Sequence, residues 1–256
     1  MKIHVFANEE ELHEAAAQTI VRLLRRKPDA VLGLATGGTP VGIYAKLAAA
    51  FRRGEVSFAR ATTFNLDEYV GLPPDHPESY RSYMERHLFR HIDLPQERAH
   101  IPDGNAADLE RECERYERLL QEAGRIDLML LGLGHNGHIG FNEPGRQLHS
   151  RTHVAVLHPK TREANARFFR SPEEVPARAV TMGLGGIFKA VTILLVVKGA
   201  DKADIVHRAL TGPLTTECPA SLLQLHPDLV VMLDEGAAAR FGRPAPGEAQ
   251  PVNGLR

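Results

Sequence analysis

The sequence predicts an α/β protein built on a parallel, doubly wound sheet. Three observations point to it. Short apolar runs, at 30–35, 128–133 and Thr192–Val197, read as strands buried on both faces. Segments with helical spacing separate them. Strand and helix alternate along the chain, with no internal repeat and no linker that would divide it. The 256 residues, 43% hydrophobic and 25% charged, are enough for one large domain, expected over residues 1–242.

Lys2–Phe6 alternates like a short strand. Asn8 is placed to cap the next helix, with Glu11 three residues on to complete a capping box. Leu12, Ala15, Ala16, Thr19, Ile20, Leu23 and Leu24 keep helical spacing, and Pro28 closes the element. After the strand at 30–35, Thr39 and Pro40 supply a cap and a first-turn proline to a helix reaching about Arg53. A strand is expected over 62–66, helices over 79–90 and 106–123, and then the strand 128–133. Strands near 154–157, 180–182, Thr192–Val197 and 229–233 complete the sheet, with helices near 161–169 and 201–210 between them. From Arg243 the chain is rich in Pro and Gly (RPAPGEAQPVNGLR), which predicts a disordered tail over 243–256.

Lys and Arg (31) balance Asp and Glu (32), for a formal charge of -1. No global field recruits nucleic acid or an acidic membrane, although a few local cations suffice for a small anionic substrate. Cys113 and Cys218 lack CxxC spacing and read as free thiols. With no signal peptide and no apolar run near 18 residues, a cytoplasmic protein is expected.

Four strand ends carry chemistry. The turn Thr36–Thr39 (TGGT) opens a helix, so Gly37, Gly38 and Thr39 can turn backbone N–H groups toward an anion. Asp67 and Glu68 follow the strand at 62–66. A carboxylate there can act as a general base, a sugar-hydroxyl acceptor or a metal ligand. The proline-rich 71–80 that follows reads as a lid or as a rigid surface loop. The third strand end, 128–145, carries His135, Asn136, His138, Asn142 and Glu143. Its Gly132, Gly134 and Gly137 spell the dinucleotide fingerprint, but no long helix and no acidic strand end follow, so nucleotide binding is not expected. Glu143 can instead fix the tautomer of His138. The histidines match no zinc pattern, and no metal is expected. Last, Arg167 on the helix near 161–169 and Lys202 after Thr192–Val197 are isolated cations, which matter only if the sheet brings them to the TGGT turn.

Taken together and in order, LGLATGGTPVGIYAKL, TFNLDEYVGLPPDHPESYRSYM, LLGLGHNGHIGFNEPG, TREANARFF and SLLQLHP resemble the glucosamine-6-phosphate deaminase family, over about residues 1–236. The resemblance implies a Rossmann-like fold and conversion of glucosamine 6-phosphate and water to fructose 6-phosphate and ammonia, with no metal or organic cofactor. Asp67 matches the family's general base. His138 matches the ring-opening residue, with Glu143 as its carboxylate partner. Asn136 stands where some members have Asp, and as an amide it can only orient or hydrogen-bond. Gly37, Gly38 and Thr39, with Arg167 and Lys202, match the phosphate site. In members activated by N-acetylglucosamine 6-phosphate a basic, polar cluster follows the FNEP segment. Here those places hold Arg146, His153 and Ala155, so no such activation is expected, and monomer or homo-oligomer is left open.

Two other readings share the fold. A 6-phosphogluconolactonase or another sugar-phosphate isomerase would use the same phosphate turn without releasing ammonia, and DEYVGL favours the deaminase. A non-catalytic sugar-phosphate sensor is expected to carry a helix-turn-helix, whereas this chain opens on its first strand and keeps Asp67, His138 and Glu143.

Overall fold

The computed structural model describes residues 1–241. The predicted tail over 243–256 lies outside them.

The first strand, β1 (Lys2–Phe6), runs into α1 (Glu9–Arg26) through the expected cap. Asn8 accepts from the Glu11 N–H at 2.9 Å. The Glu11 carboxylate returns to the Asn8 side-chain amide at 3.1 Å, so the box closes on the side chain. Three glutamates in the first turn and Arg25 and Arg26 in the last complement the helix dipole. Leu12, Ala16, Ile20 and Leu24 form the buried stripe, and the helix packs on β10 and α2.

β2 (Val31–Leu34) leads to α2 (Pro40–Arg52). The predicted cap at Thr39 is half right. Pro40 takes the first-turn position, but Thr39 is already helical (φ -70, ψ -46) and its side chain makes no capping bond. The turn at Gly37 (φ 106) tips the chain into helix early, which leaves the Thr39 hydroxyl for another use.

β3 (Thr62–Asn65) is followed almost at once by β4 (Asp67–Tyr69). Then come α3 (Tyr80–His87), the two-residue β5 (Ala99–His100), α4 (Leu109–Glu122) and β6 (Leu128–Leu131). The second half adds β7 (His153–Val156), α5 (Pro159–Asn165), β8 (Arg178–Thr181), α6 (Leu184–Phe188), β9 (Thr192–Val197), α7 (Ala203–Thr211) and β10 (Leu229–Asp234).

Seven strands form one parallel sheet in the order β1-β10-β9-β6-β2-β3-β5. The chain builds outward from β2 to β5, returns to the other side of β2 with β6, and ends beside β1. The β2/β6 boundary is therefore the topological switch point, where open α/β sheets place their ligands. All four β6 residues and all six of β10 are buried, as expected for strands covered on both faces. Gly33 lies opposite Met129, and a β-carbon on it would sit 2.2 Å from the Met129 sulfur, so the glycine makes room for that side chain at the sheet centre.

One expectation is corrected. The strands predicted near 154–157 and 180–182 do not complete the main sheet. They form β7 and β8 of a separate antiparallel sheet with β4, in the order β4-β8-β7. Leu66 is the junction: its N–H donates to Leu34 in the main sheet (3.1 Å), and its carbonyl accepts from Met182 beyond β8 (2.7 Å). The chain changes sheets there, and the next residue is Asp67. The small sheet has its own apolar cluster of Tyr69, Phe141, Ala155, Leu157 and Ala179.

Candidate active site

A cleft of about 340 Å³ opens at the carboxyl ends of β2, β3, β6 and β9, on the switch point. It collects Gly37, Gly38, Thr39, Asp67, His135, Asn136, His138, Arg167 and Lys202; Glu68 and Asn142 lie outside its lining, and Glu143 stands behind His138.

At the end of β2, Gly37, Gly38 and Thr39 line the cleft. The backbone N–H groups of residues 36 to 39 donate to no acceptor among the described residues. Unpaired N–H groups at the start of a helix are a ready seat for an anion. The two cations stand with this turn. A guanidinium nitrogen of Arg167 is 3.7 Å from where a Gly38 β-carbon would be. Lys202 also lines the cleft, and its Nζ donates to the Leu133 carbonyl (2.8 Å). Burial holds the Lys202 ammonium down at about 8; Asp201 opposes that shift and Arg167 adds to it. Arg167 lies not on the α-helix, as expected, but on the 3-10 turn Ala166–Phe168 that continues α5, with its guanidinium 4.8 Å over the Phe168 ring.

Asp67, the first residue of β4, is 5% exposed and lies across from the His138 loop. Gly140 (φ 56) lies beside it, where a β-carbon would be in ordinary contact with Asp67 Oδ2 at 3.5 Å. Among the described residues no hydrogen bond reaches that carboxylate. Burial pushes it well above the usual range, and the Glu68 charge adds to the shift. The neighbouring Glu68 is structural. It accepts from the backbone N–H groups of Tyr69 (2.8 Å), Tyr80 (2.9 Å) and Arg81 (2.9 Å) and so holds the start of α3. The proline-rich 71–80 is fastened rather than free, with Ser79 and Ser82 both donating to the Pro74 carbonyl.

The β6 loop brings three more groups together. Asn136 donates to Glu143 Oε2 (2.7 Å), and its amide oxygen lies 2.7 Å from His138 Nδ1 and accepts the His138 N–H at 3.2 Å. Since a carboxylate cannot donate, the Asn136 nitrogen must face Glu143 and its oxygen must face the imidazole. An amide oxygen only accepts, so Nδ1 carries the proton. The Nε2 lone pair of neutral His138 is left with no partner among the described residues. His138 Nδ1 is also 3.4 Å from Glu143 Oε2. Burial alone would push the Glu143 carboxyl up, but the bonds from His138, Thr161 and Asn136 outweigh it and hold it at about 2. The ring lies flat on Gly134, where a β-carbon would come within 2.3 Å of it. The fingerprint-like glycine therefore seats the imidazole. His135 turns away and pairs with Asp201 at 2.7 Å.

Several cleft residues lie in the quoted motifs, yet no sequence signal assigns them a role. Thr161 accepts from Asn136 (3.4 Å) and reaches His138 Nδ1 (3.3 Å). Tyr80 and Phe141 stack at 6.1 Å on the wall beside Asp67. Asn165 ties α5 to the Tyr69 hydroxyl (2.9 Å). Only the TREANARFF motif hinted at Thr161 and Asn165, and its spacing assigned them no partner.

An anion seat at a helix start, a buried carboxylate of raised basicity and a tautomer-fixed histidine in one cleft define an α/β enzyme of acid–base chemistry on small anionic molecules. Comparison with known proteins narrows the class. Residues 7–231 match the model of the family described as glucosamine-6-phosphate isomerases/6-phosphogluconolactonase. A glucosamine-6-phosphate deaminase of Thermoanaerobacter pseudethanolicus is 49% identical over 239 residues, 93% of this chain and 94% of that protein. One of Bacillus velezensis is 52% identical over 229 residues, 90% of this chain and 95% of its own. The solved structure of a monomeric glucosamine-6-phosphate deaminase superposes with a TM-score of 0.91 at 49% identity, covering 93% of this chain and 99% of that one. A 6-phosphogluconolactonase from Leishmania guyanensis shares the fold (TM-score 0.74, 21% identity, 94% and 99% coverage). The chain belongs to the glucosamine-6-phosphate isomerase/6-phosphogluconolactonase family.

Proposed function

We propose that this protein is a glucosamine-6-phosphate deaminase, releasing ammonia and fructose 6-phosphate from glucosamine 6-phosphate and water, with residues 1–242 acting as one catalytic domain. The observation that carries the reading is the Asp67 carboxylate, buried, without a hydrogen-bond partner among the described residues, and raised in basicity on the cleft wall opposite the His138 loop. A lactone hydrolysis needs no base for a carbon acid; an aldose–ketose shift does.

The phosphate sits on the N–H groups of Gly37, Gly38 and Thr39, with Arg167 and Lys202 supplying charge. His138 takes the anomeric hydroxyl proton through Nε2, and the ring opens to the aldehyde. Asn136 holds the tautomer, and Glu143 stabilises the imidazolium that forms. Carbon 2 then lies beside a carbonyl, so its proton is acidic. Asp67 removes it, giving an enolamine, and delivers it to carbon 1. Water hydrolyses the resulting imine at carbon 2, and ammonia departs. The close deaminase relatives and the DEYVGL segment support this reading over the lactonase.

The test is a direct competition of substrates. Purified protein is given glucosamine 6-phosphate or 6-phosphogluconolactone, and ammonia and acid release are followed. Turnover of the amino sugar with little lactone hydrolysis is expected; the reverse pattern would replace the deaminase with the lactonase.

A further inference from the structure

Two tyrosines that do not line the cleft take the carbonyl just before the TGGT turn and one within it. The Tyr44 hydroxyl, from α2, donates to the Ala35 carbonyl at 2.5 Å. The Tyr83 hydroxyl, from α3, donates to the Gly37 carbonyl at 2.7 Å. Their rings meet edge to face, with centroids 6.4 Å apart and an interplanar angle of 70°. Tyr44 is fully buried, and Tyr83 packs against the same core.

A trans peptide is planar, and its C=O and N–H point in opposite directions. Fixing the Ala35 carbonyl therefore fixes the N–H of Thr36, and fixing the Gly37 carbonyl fixes the N–H of Gly38. Both N–H groups belong to residues that line the cleft, and neither has an acceptor among the described residues. The bond matters most at Gly37. Its φ of 106 and the open space around its α-carbon put little in the way of peptide rotation. Without the Tyr83 hydroxyl the 37–38 peptide could swing, and an anion would have to order it on binding, which weakens affinity.

We infer that Tyr44 and Tyr83 are positioning residues that pre-set the peptide N–H groups of the phosphate seat. They touch no substrate and act only through the backbone. Burial pushes both phenols up, so they stay O–H donors across the working pH range. Glu68 belongs to the same brace, because it holds the start of the helix that carries Tyr83. The inference rests on the reading of residues 37–39 as the phosphate seat and extends that seat to the N–H of Thr36.

Tyr83→Phe and Tyr44→Phe each remove one oxygen and keep the ring. Steady-state kinetics with glucosamine 6-phosphate are measured with inorganic phosphate as competitive inhibitor, with Arg167→Ala as the reference variant. In Tyr83→Phe the KM and the inhibition constant of phosphate should rise together by about three- to tenfold, the range that one hydrogen bond spans. The kcat should stay within about twofold of wild type. Tyr44→Phe should move the same two constants in the same direction; if it fails to fold, Tyr83→Phe decides alone. A merely structural loss would lower the melting temperature and leave the phosphate constant in place. The inference is overturned if Arg167→Ala raises the phosphate constant and Tyr83→Phe does not. If Arg167→Ala leaves it unmoved as well, the seat itself is misassigned, and the tyrosine role falls with it.

Discussion

Asn136 donates its amide N–H to Glu143 at 2.7 Å, and that single bond decides the state of a third residue. It turns the amide oxygen to His138, puts the proton on Nδ1 and leaves Nε2 free to serve as the base that the proposed reaction needs.

Asn136→Ala therefore removes the tautomer control while leaving the phosphate contacts in place. We expect kcat to fall on the order of 100-fold. The KM should change little. Steady-state ammonia release checks it; a variant with wild-type kcat would show that His138 needs no such partner.

Asp67 must be ionised to take a proton from carbon. Its carboxyl is held well above the usual range, by burial first and by Glu68 second, so it stays protonated to higher pH than an exposed aspartate. Activity should rise with pH through that elevated value. The acid limb of kcat/KM is expected above about 4, the ordinary Asp value. Glu68→Gln should move the limb toward lower pH. A limb in the ordinary carboxylate range would contradict the assigned environment.

Glu143 makes the opposite prediction, for stability. Its folded value of about 2 lies below its ordinary 4.5. A depressed carboxyl stabilises the fold above its unfolded value and loses that contribution as pH falls. Glu143→Gln should lower the melting temperature at pH 7, and the gap to wild type should close as pH falls from 4.5 toward 2. A gap that stays constant across that window would remove the charge from the argument.

In the proposed reaction Lys202 and Arg167 hold the phosphate in both ground and transition states, so Arg167→Ala or Lys202→Met should raise KM and leave kcat nearly unchanged. With Lys202 held at about 8, kcat/KM should decline as pH rises through that value, and the decline should vanish in Lys202→Met. Loss of kcat with unchanged KM would place these cations at the reacting carbons instead.

N-acetylglucosamine 6-phosphate should not activate the protein. Of the three places only Arg146 is an exposed cation; His153 stacks on His149 at 4.3 Å, and Ala155 is buried in the small sheet's cluster. Initial-rate curves with and without the compound should coincide. A sigmoidal curve made hyperbolic by it would sink the expectation.

How much of this was legible in the sequence follows from the range of each interaction. Asn8, the 30–35 run and the strand ends carrying Gly37, Asp67 and His138 were readable, because caps, apolar runs and β–loop junctions are local. The parallel order then brings the carboxyl ends together by itself. The second sheet was not readable. β7 and β8 look like any short apolar strands, and nothing local says that Leu66 hands the chain from one sheet to another. Thr39 failed as a cap because the left-handed Gly37 before it starts the helix early. The roles of Tyr44, Tyr83 and Thr161 were not readable for a different reason: their partners are backbone carbonyls or loop side chains outside their own elements, and no spacing encodes those. Resemblance to a known family supplied roles for Asp67 and Arg167 that the residues alone left open.

The central claim is that Asp67 moves a proton between two carbons before ammonia leaves. The most direct measurement is ammonia and fructose 6-phosphate release from glucosamine 6-phosphate by wild type and by Asp67→Asn. Wild type should release both in equal amounts, and Asp67→Asn should be slower by about 100- to 10,000-fold. An Asp67→Asn variant with wild-type turnover would contradict the assigned base, and a wild type that releases no ammonia would contradict the whole account.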